Sequence, residues 1–203
     1  GSQSTVAGGG SNIAGALSSF IGGGSLNYVS GSSSAICGGG SNGIVGTNSF
    51  IGGGNNNLVR GLYSNVVGGD NNISYADYSV IGGGLQNGTT GQYSFIGSGR
   101  ANITASDYSS LVGGFNNGAT GECSFIGGGA TNIASGQYST VSGGQNNNCG
   151  GTGATIGGGN ASTSSGLYST VGGGNINFSQ GPYSVVAGGR ANASRSDYSA
   201  VCG

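Results

Sequence analysis

The chain has 203 residues, 51 of them Gly, with one Pro and no His, Met or Trp. Its charged side chains are Arg60, Asp70, Asp77, Arg100, Asp107, Glu122, Arg190, Arg195 and Asp197, a net charge of -1; the commonest general base and metal ligand is missing. There is also no basic surface for nucleic acid and no polybasic membrane anchor. No stretch approaches the roughly 18 apolar residues needed to span a bilayer, and no basic-then-apolar signal segment opens the sequence.

An aliphatic residue recurs every 15 positions, at Val6, Ile21, Ile36, Ile51, Val66, Ile81, Ile96, Leu111, Ile126, Val141, Ile156, Val171, Val186 and Val201. With this residue as position 0, position 3 is Gly from Gly9 to Gly189, and position 2 is Gly except at Ser98. Position 6 is Asn from Asn12 to Asn192 except at Ser162, position 10 is mostly Gly, position 12 is Tyr in eight copies, and position 13 is Ser except at Ala154. A flexible Gly/Ser linker has no reason to hold such a register, whereas stacked coils punish every insertion. Fifteen residues cannot hold the two helices of an α-solenoid, and Gly is a poor helix former.

In chain order, positions 12 to 1 alternate, with Ser at 13 and Val or Ile at 0 on one face and Tyr and position 14 on the other. This predicts a short strand ending at a Gly-Gly corner at positions 2 and 3. Positions 6 to 9 predict a second strand, with Asn at 6 and a small or β-branched residue at 8 (Ala14, Val29, Ile44, Val59, Ala134) facing one side. It ends at the Gly of position 10, whose tolerance of left-handed backbone would make the second corner. The predicted fold is all-β, a parallel β-roll or β-solenoid of 15-residue coils with two short strands each. At one strand spacing per coil the array is a rod roughly 60 Å long. Residues 1–203 form a single array of about 13.5 coils. The sequence starts and stops inside the repeat without a cap, which predicts an excerpt of a longer fibre or a unit that stacks end to end.

The half-units G-Q-Y-S-F-I-G at Gly91 to Gly97 and A-T-N-I-A-S-G at Ala130 to Gly136 resemble the head repeats of trimeric autotransporter adhesins of the YadA type. The resemblance spans the whole chain and implies a left-handed parallel β-roll that trimerises on a cell surface. Similar Tyr-Ser, Gly-Gly-Gly and Asn repeats occur in bacterial surface proteins and in phage or viral fibres. Here the unit is 15 rather than 14 residues, Asn replaces a small residue at position 6, and Tyr often precedes Ser.

The Gly-Gly-Gly runs lack the Lys that a phosphate loop needs and are corners. Asp70 stands alone in its column, so it is a turn residue rather than a calcium ligand. Asp77, Asp107 and Asp197, which follow a lost Gly at position 10, are expected to stabilise turns by bonding their own backbone. Of six Asn-x-Ser/Thr sequons, Asn72, Asn87, Asn102, Asn177 and Asn192 occupy position 6 and would point inward, while Asn160 does not. Cys37, Cys123, Cys149 and Cys202 never fall in adjacent coils of one column, which predicts free thiols, or else bridges between chains.

The candidate interaction face is an outward aromatic stripe, Tyr63, Tyr78, Tyr108, Tyr138, Tyr168, Tyr183 and Tyr198 at position 12 with Phe50, Phe95 and Phe125 at position 14. An apolar stripe of this length marks an oligomer seam or a surface for a receptor or glycan. Positions 7 and 14 also trade volume, Gly43 with Phe50, Gly88 with Phe95 and Gly118 with Phe125 against Ile103 with Ser110 and Ile133 with Thr140, with Ile13 and Phe20 the exception, as side chains packed across a subunit contact would. No catalytic residue, cofactor, metal, nucleic-acid partner or membrane insertion is expected. The expected function is a non-enzymatic structural or adhesive rod, a module of an extracellular surface or virion fibre, forming a homo-oligomer (a trimer by resemblance) or an end-to-end polymer. The alternative is an ice-binding solenoid, for which Thr140, Thr155 and Thr170 supply a short run at position 14.

Overall fold

The computed structural model describes residues 1–203 and divides into two compact units, Gly1–Ala101 and Asn102–Gly203. Both are built from the same coil, and the chain is an all-β parallel β-solenoid of about 13 coils, 15 residues apart. In the first unit, strands from Thr5–Val6 to Phe95–Ile96 form one parallel sheet and strands from Ile13–Ala14 to Gly88–Thr89 the other. In the second unit the corresponding strands run from Ser110–Leu111 to Ala200–Val201 and from Ile103–Thr104 to Ala193–Ser194. Register is fixed at one repeat: Phe50 pairs with Ala35 and Asn65, and Ile133 with Gly118 and Asn148. Position 4 adds a ladder of single-residue parallel bridges, such as Asn55 to Asp70 and Asp70 to Leu85.

The strands are two residues long, shorter than the alternation predicts, because two positions of each coil besides the Gly of position 3 adopt left-handed backbone. Positions 5 and 12 both have φ near +55°, as at Asn56 (51°), Asn71 (59°), Tyr63 (54°) and Tyr183 (57°). Tyr at position 12 therefore belongs to a turn and not to the strand. The conformation costs a non-Gly residue roughly 1–2 kcal/mol, and hydrogen bonding explains why it persists. At most positions the amide donates to the next coil, as Phe50 N does to Ser64 O at 3.1 Å. At the left-handed residues it turns back to the preceding coil, Asn56 N to Gly40 O and Tyr63 N to Thr47 O, both at 3.0 Å.

Glycine is invariant at position 3 and favoured at position 10, for different reasons. Position 3 has φ between +84° and +101°, and a Cβ there would lie about 2 Å from the carbonyl oxygen of the same position one coil on, 2.0 Å for Gly54 against Gly69. Position 10 was expected to be left-handed and is not. Its Gly residues have ordinary φ, and the constraint is close approach, since a Cβ on Gly31 or Gly46 would sit 1.9 Å from the carbonyl oxygen of the next coil.

The core is thin and half polar. Position 0 is fully buried from Ile21 to Val186, and position 8 is buried from Val29 to Ser194. Between them lie the expected ladders of Asn at 6 and Ser at 13, each buried in all but the terminal coils. Asn57 Nδ2 donates to Gly53 O in its own coil (3.1 Å) and to Gly69 O in the next (2.9 Å), while its Oδ1 accepts Asn72 N at 3.0 Å. Ser49 Oγ likewise donates to Gly61 O at 2.9 Å and accepts Ser64 N at 3.2 Å. A side chain one residue after the left-handed residue thus satisfies backbone groups that the corner strands, in the Asn column of both units and at Ser34, Ser49 and Ser64 of position 13. Where position 8 is Ser it also bonds position 13 across the core, Ser164 to Ser169 and Ser179 to Ser184 at 2.7 Å. Where position 8 is Ala119 or Ala134, the facing Ser124 and Ser139 hydroxyls have no partner.

Candidate functional site

Left-handed backbone at position 12 points each Tyr outward at one-coil spacing, so the rings stack on one another. Tyr63 and Tyr78 have centroids 5.1 Å apart with planes 2° from parallel, and Tyr78 and Tyr93 are 4.9 Å apart at 5°. In the second unit Tyr168 and Tyr183 are 5.5 Å apart at 26°, and Tyr183 and Tyr198 are 5.1 Å apart at 2°. Tyr93 was legible as a member from its position and extends the predicted set. Tyr138 stands between Cys123 and Gly153 in its column. Gly153 makes room for the next ring, because a Cβ there would lie 2.4 Å from Tyr168 Cδ1. Stacking covers the ring faces inside each ladder, so what it offers a partner is a row of ring edges and phenol hydroxyls. Inside a ladder, therefore, no flat aromatic face is open to a sugar ring.

The Phe residues of the predicted stripe are not neighbours of one another. Phe50 stands in register between Ala35 and Asn65, Phe95 beside Val80, and Phe125 between Ser110 and Thr140. They sit on strands while the Tyr rings leave from a turn, so the stripe is two separate features. Phe20 and Phe50 instead lie over position 1 of their own strand, with Cε1 3.4 and 3.5 Å from where a Cβ would stand on Gly22 and Gly52. Gly also follows Phe95 and Phe125 at that spacing. The volume trade therefore has a partner within the chain, at position 1, in addition to the one expected at position 7.

Asp77 stabilises its neighbour's turn rather than its own: its carboxylate accepts the Leu62 amide of the preceding coil at 2.8 Å. Asp107 and Glu122 occupy one column in successive coils and, with Ala105 and Ser106, line an open cleft of about 320 Å³. Gln137 Nε2 donates to Glu122 at 2.9 Å. Asp70 takes part in the position 4 bridges. Arg60 lies 5.5 Å over the Tyr75 ring, a cation–π contact. The sequons Asn72, Asn87, Asn102 and Asn177 are buried, as expected of position 6, whereas Asn160 is exposed.

All four cysteines are free thiols, with Cys37 and Cys202 exposed, Cys123 half-buried and Cys149 buried. Burial pushes the Cys149 thiol from 9.0 up to about 11, against a smaller opposing hydrogen bond from the Thr140 backbone. The fold thus holds this thiol protonated, and the corresponding stability is fully present below pH 9.0 and is lost as pH rises through about 11. The native chain should lose stability across that window relative to Cys149→Ala, measured by melting temperature against pH. Parallel curves would contradict the assignment. At neutral pH a thiol reagent should label Cys37 and Cys202 in the folded chain and Cys149 only after unfolding.

No helix is long and apolar enough to cross a membrane. No protein-family model matches the chain, and the search of curated proteins finds no match.

Proposed function

We propose that the chain is a non-enzymatic structural or adhesive rod, a repeat module of an extracellular surface or virion fibre that assembles as a homo-oligomer, a trimer by its resemblance to adhesin heads. The observation that carries this reading is the direction of the hydrogen bonds. In both units, backbone and Asn groups bond from coil to coil at offsets that repeat in coil after coil, 14 residues for Phe50 N to Ser64 O and Phe125 N to Ser139 O, and 12 for Asn57 Nδ2 to Gly69 O and Asn117 Nδ2 to Gly129 O, which suits a scaffold under tension along its coils. Exposed apolar side chains at position 14, Phe20, Phe95, Phe125 and Val185, supply the surface for a subunit contact. A receptor or glycan meeting the Tyr ladders would engage ring edges and hydroxyls.

The solution mass of the purified chain tests the proposal. Sedimentation equilibrium should give three times the 19.2 kDa chain mass. Gly88→Phe, at an outward site where the nearest atom to a new Cβ is 3.9 Å away, should lower the association constant while leaving circular dichroism unchanged. An unassociated chain would contradict the assembly.

A second reading, ice binding, is favoured by Thr140, Thr155 and Thr170, which stand in register on adjacent strands. Thermal hysteresis that disappears when these three become Val would support it over the fibre.

A further inference from the structure

The one-coil spacing of position 12 holds phenols of successive coils face to face. We propose that Tyr63–Tyr78–Tyr93 and Tyr168–Tyr183–Tyr198 are sites of oxidative coupling, where peroxide-driven one-electron oxidation joins successive coils through dityrosine links.

Proximity carries the argument. Phenol coupling needs two tyrosyl radicals to meet, and for a freely diffusing pair that encounter is rare. Here the partner ring already lies 4.9 to 5.5 Å away, centre to centre, so the bond-forming step is intramolecular and benefits from a large effective concentration. The rings are about half exposed, Tyr63 at 49% and Tyr168 at 52%, so an oxidant reaches them and they have room to tilt edge to edge. The four cysteines are all free, so dityrosine would be the covalent tie between coils.

The chemistry balances with a haem peroxidase and hydrogen peroxide as the oxidising system. Each phenol gives one electron to the peroxidase and its hydroxyl proton to water, leaving a neutral radical with spin on the carbons ortho to the oxygen. Two ortho carbons form a C–C bond, and each then loses its hydrogen as the ring regains aromaticity and its hydroxyl. Two phenols thus become one biphenol, losing two hydrogens, while one peroxide becomes two waters.

The molecule contains its own controls. Tyr138 has the same left-handed turn, with φ of 59°, and is 56% exposed, but Cys123 and Gly153 flank it in the column. Tyr75 is 48% exposed and faces Arg60 rather than another phenol. Exposure alone would modify these residues as readily as the stacked ones.

The test is limited oxidation of the dilute, folded full-length chain with peroxidase and peroxide, followed by a denaturing gel, fluorescence and peptide mass mapping. Blue dityrosine emission is expected in the single-chain band, with a loss of two hydrogen masses per link. A Tyr183–Tyr198 link would join peptides that trypsin otherwise separates after Arg190 and Arg195. Tyr78→Phe keeps a stacked ring but removes the phenol, and should abolish links in the first stack while leaving the second at full yield. The proposal is overturned if emission appears only in bands of higher mass, or if Tyr138 and Tyr75 enter intrachain links as often as stacked residues. Loss of tyrosine without any linked product would overturn it equally.

Discussion

Replacing Gly54 by Ala should destabilise the first unit by on the order of 4 kcal/mol or more, enough to remove much of the stability of an ordinary domain. Two costs combine. The residue has φ of +88°, and its new Cβ would lie 2.0 Å from the carbonyl oxygen of Gly69. That obstacle is backbone held in a ladder, so it cannot swing aside as a flexible side chain would. Gly38, at position 2, provides the contrast: nothing lies within 4 Å of a Cβ built there, and Ser98 occupies this position naturally. Gly38→Ser should change stability by no more than about 0.5 kcal/mol. Chemical denaturation of both variants checks the pair, and equal effects would show that the coils are not in van der Waals contact at position 3.

The second large effect is expected at the Asn ladder. Asn57→Ala removes the donor to Gly53 O and the acceptor for Asn72 N, and leaves Gly69 O with only its bond from Asn55 N at 3.0 Å. The Asn72 amide is then buried without a partner, at a cost of about 1–3 kcal/mol, while the half-buried Gly53 carbonyl costs less because water reaches it, so a loss of about 3 kcal/mol is expected. Asn57→Ser should cost distinctly less. Ser162 shows why: its hydroxyl still accepts Asn177 N at 3.3 Å, although the amide donors are gone. If Ala and Ser prove equally tolerated, the side-chain ladder is not what holds the corner.

The inward set was legible because periodicity reports burial directly. Val, Ile and Leu at position 0, Asn at 6, the small or β-branched residues at 8 and Ser at 13 all face the core as their spacing required. Backbone conformation was less legible. Position 5 holds Ser, Leu, Asn, Gln, Ala, Thr and Ile, yet each is left-handed, because the reversed amide bond to the preceding coil offsets the strain and no Gly is needed to mark it. Conversely, Gly at position 10 signals a close approach rather than a positive φ, and composition cannot separate those two demands. The Tyr stacks followed from spacing alone, whereas grouping them with Phe50, Phe95 and Phe125 followed from taking position 12 as strand. The pairing of Phe with Gly two residues later was present in the sequence, and it becomes intelligible once positions 14 and 1 are seen to share a face.

The central claim is that each coil stacks on its neighbours through a strict 15-residue register, and melting a matched pair of deletions tests it most directly. Removing residues 41–55 takes out one whole coil and leaves every remaining residue at its own position. Removing residues 41–54 takes out one residue fewer, so one coil keeps a residue too many and part of its buried face is turned outward. The 15-residue deletion should unfold cooperatively at a temperature close to that of the parent chain, and the 14-residue deletion well below it. Identical melting of the two shortened chains would contradict the stacked-coil account.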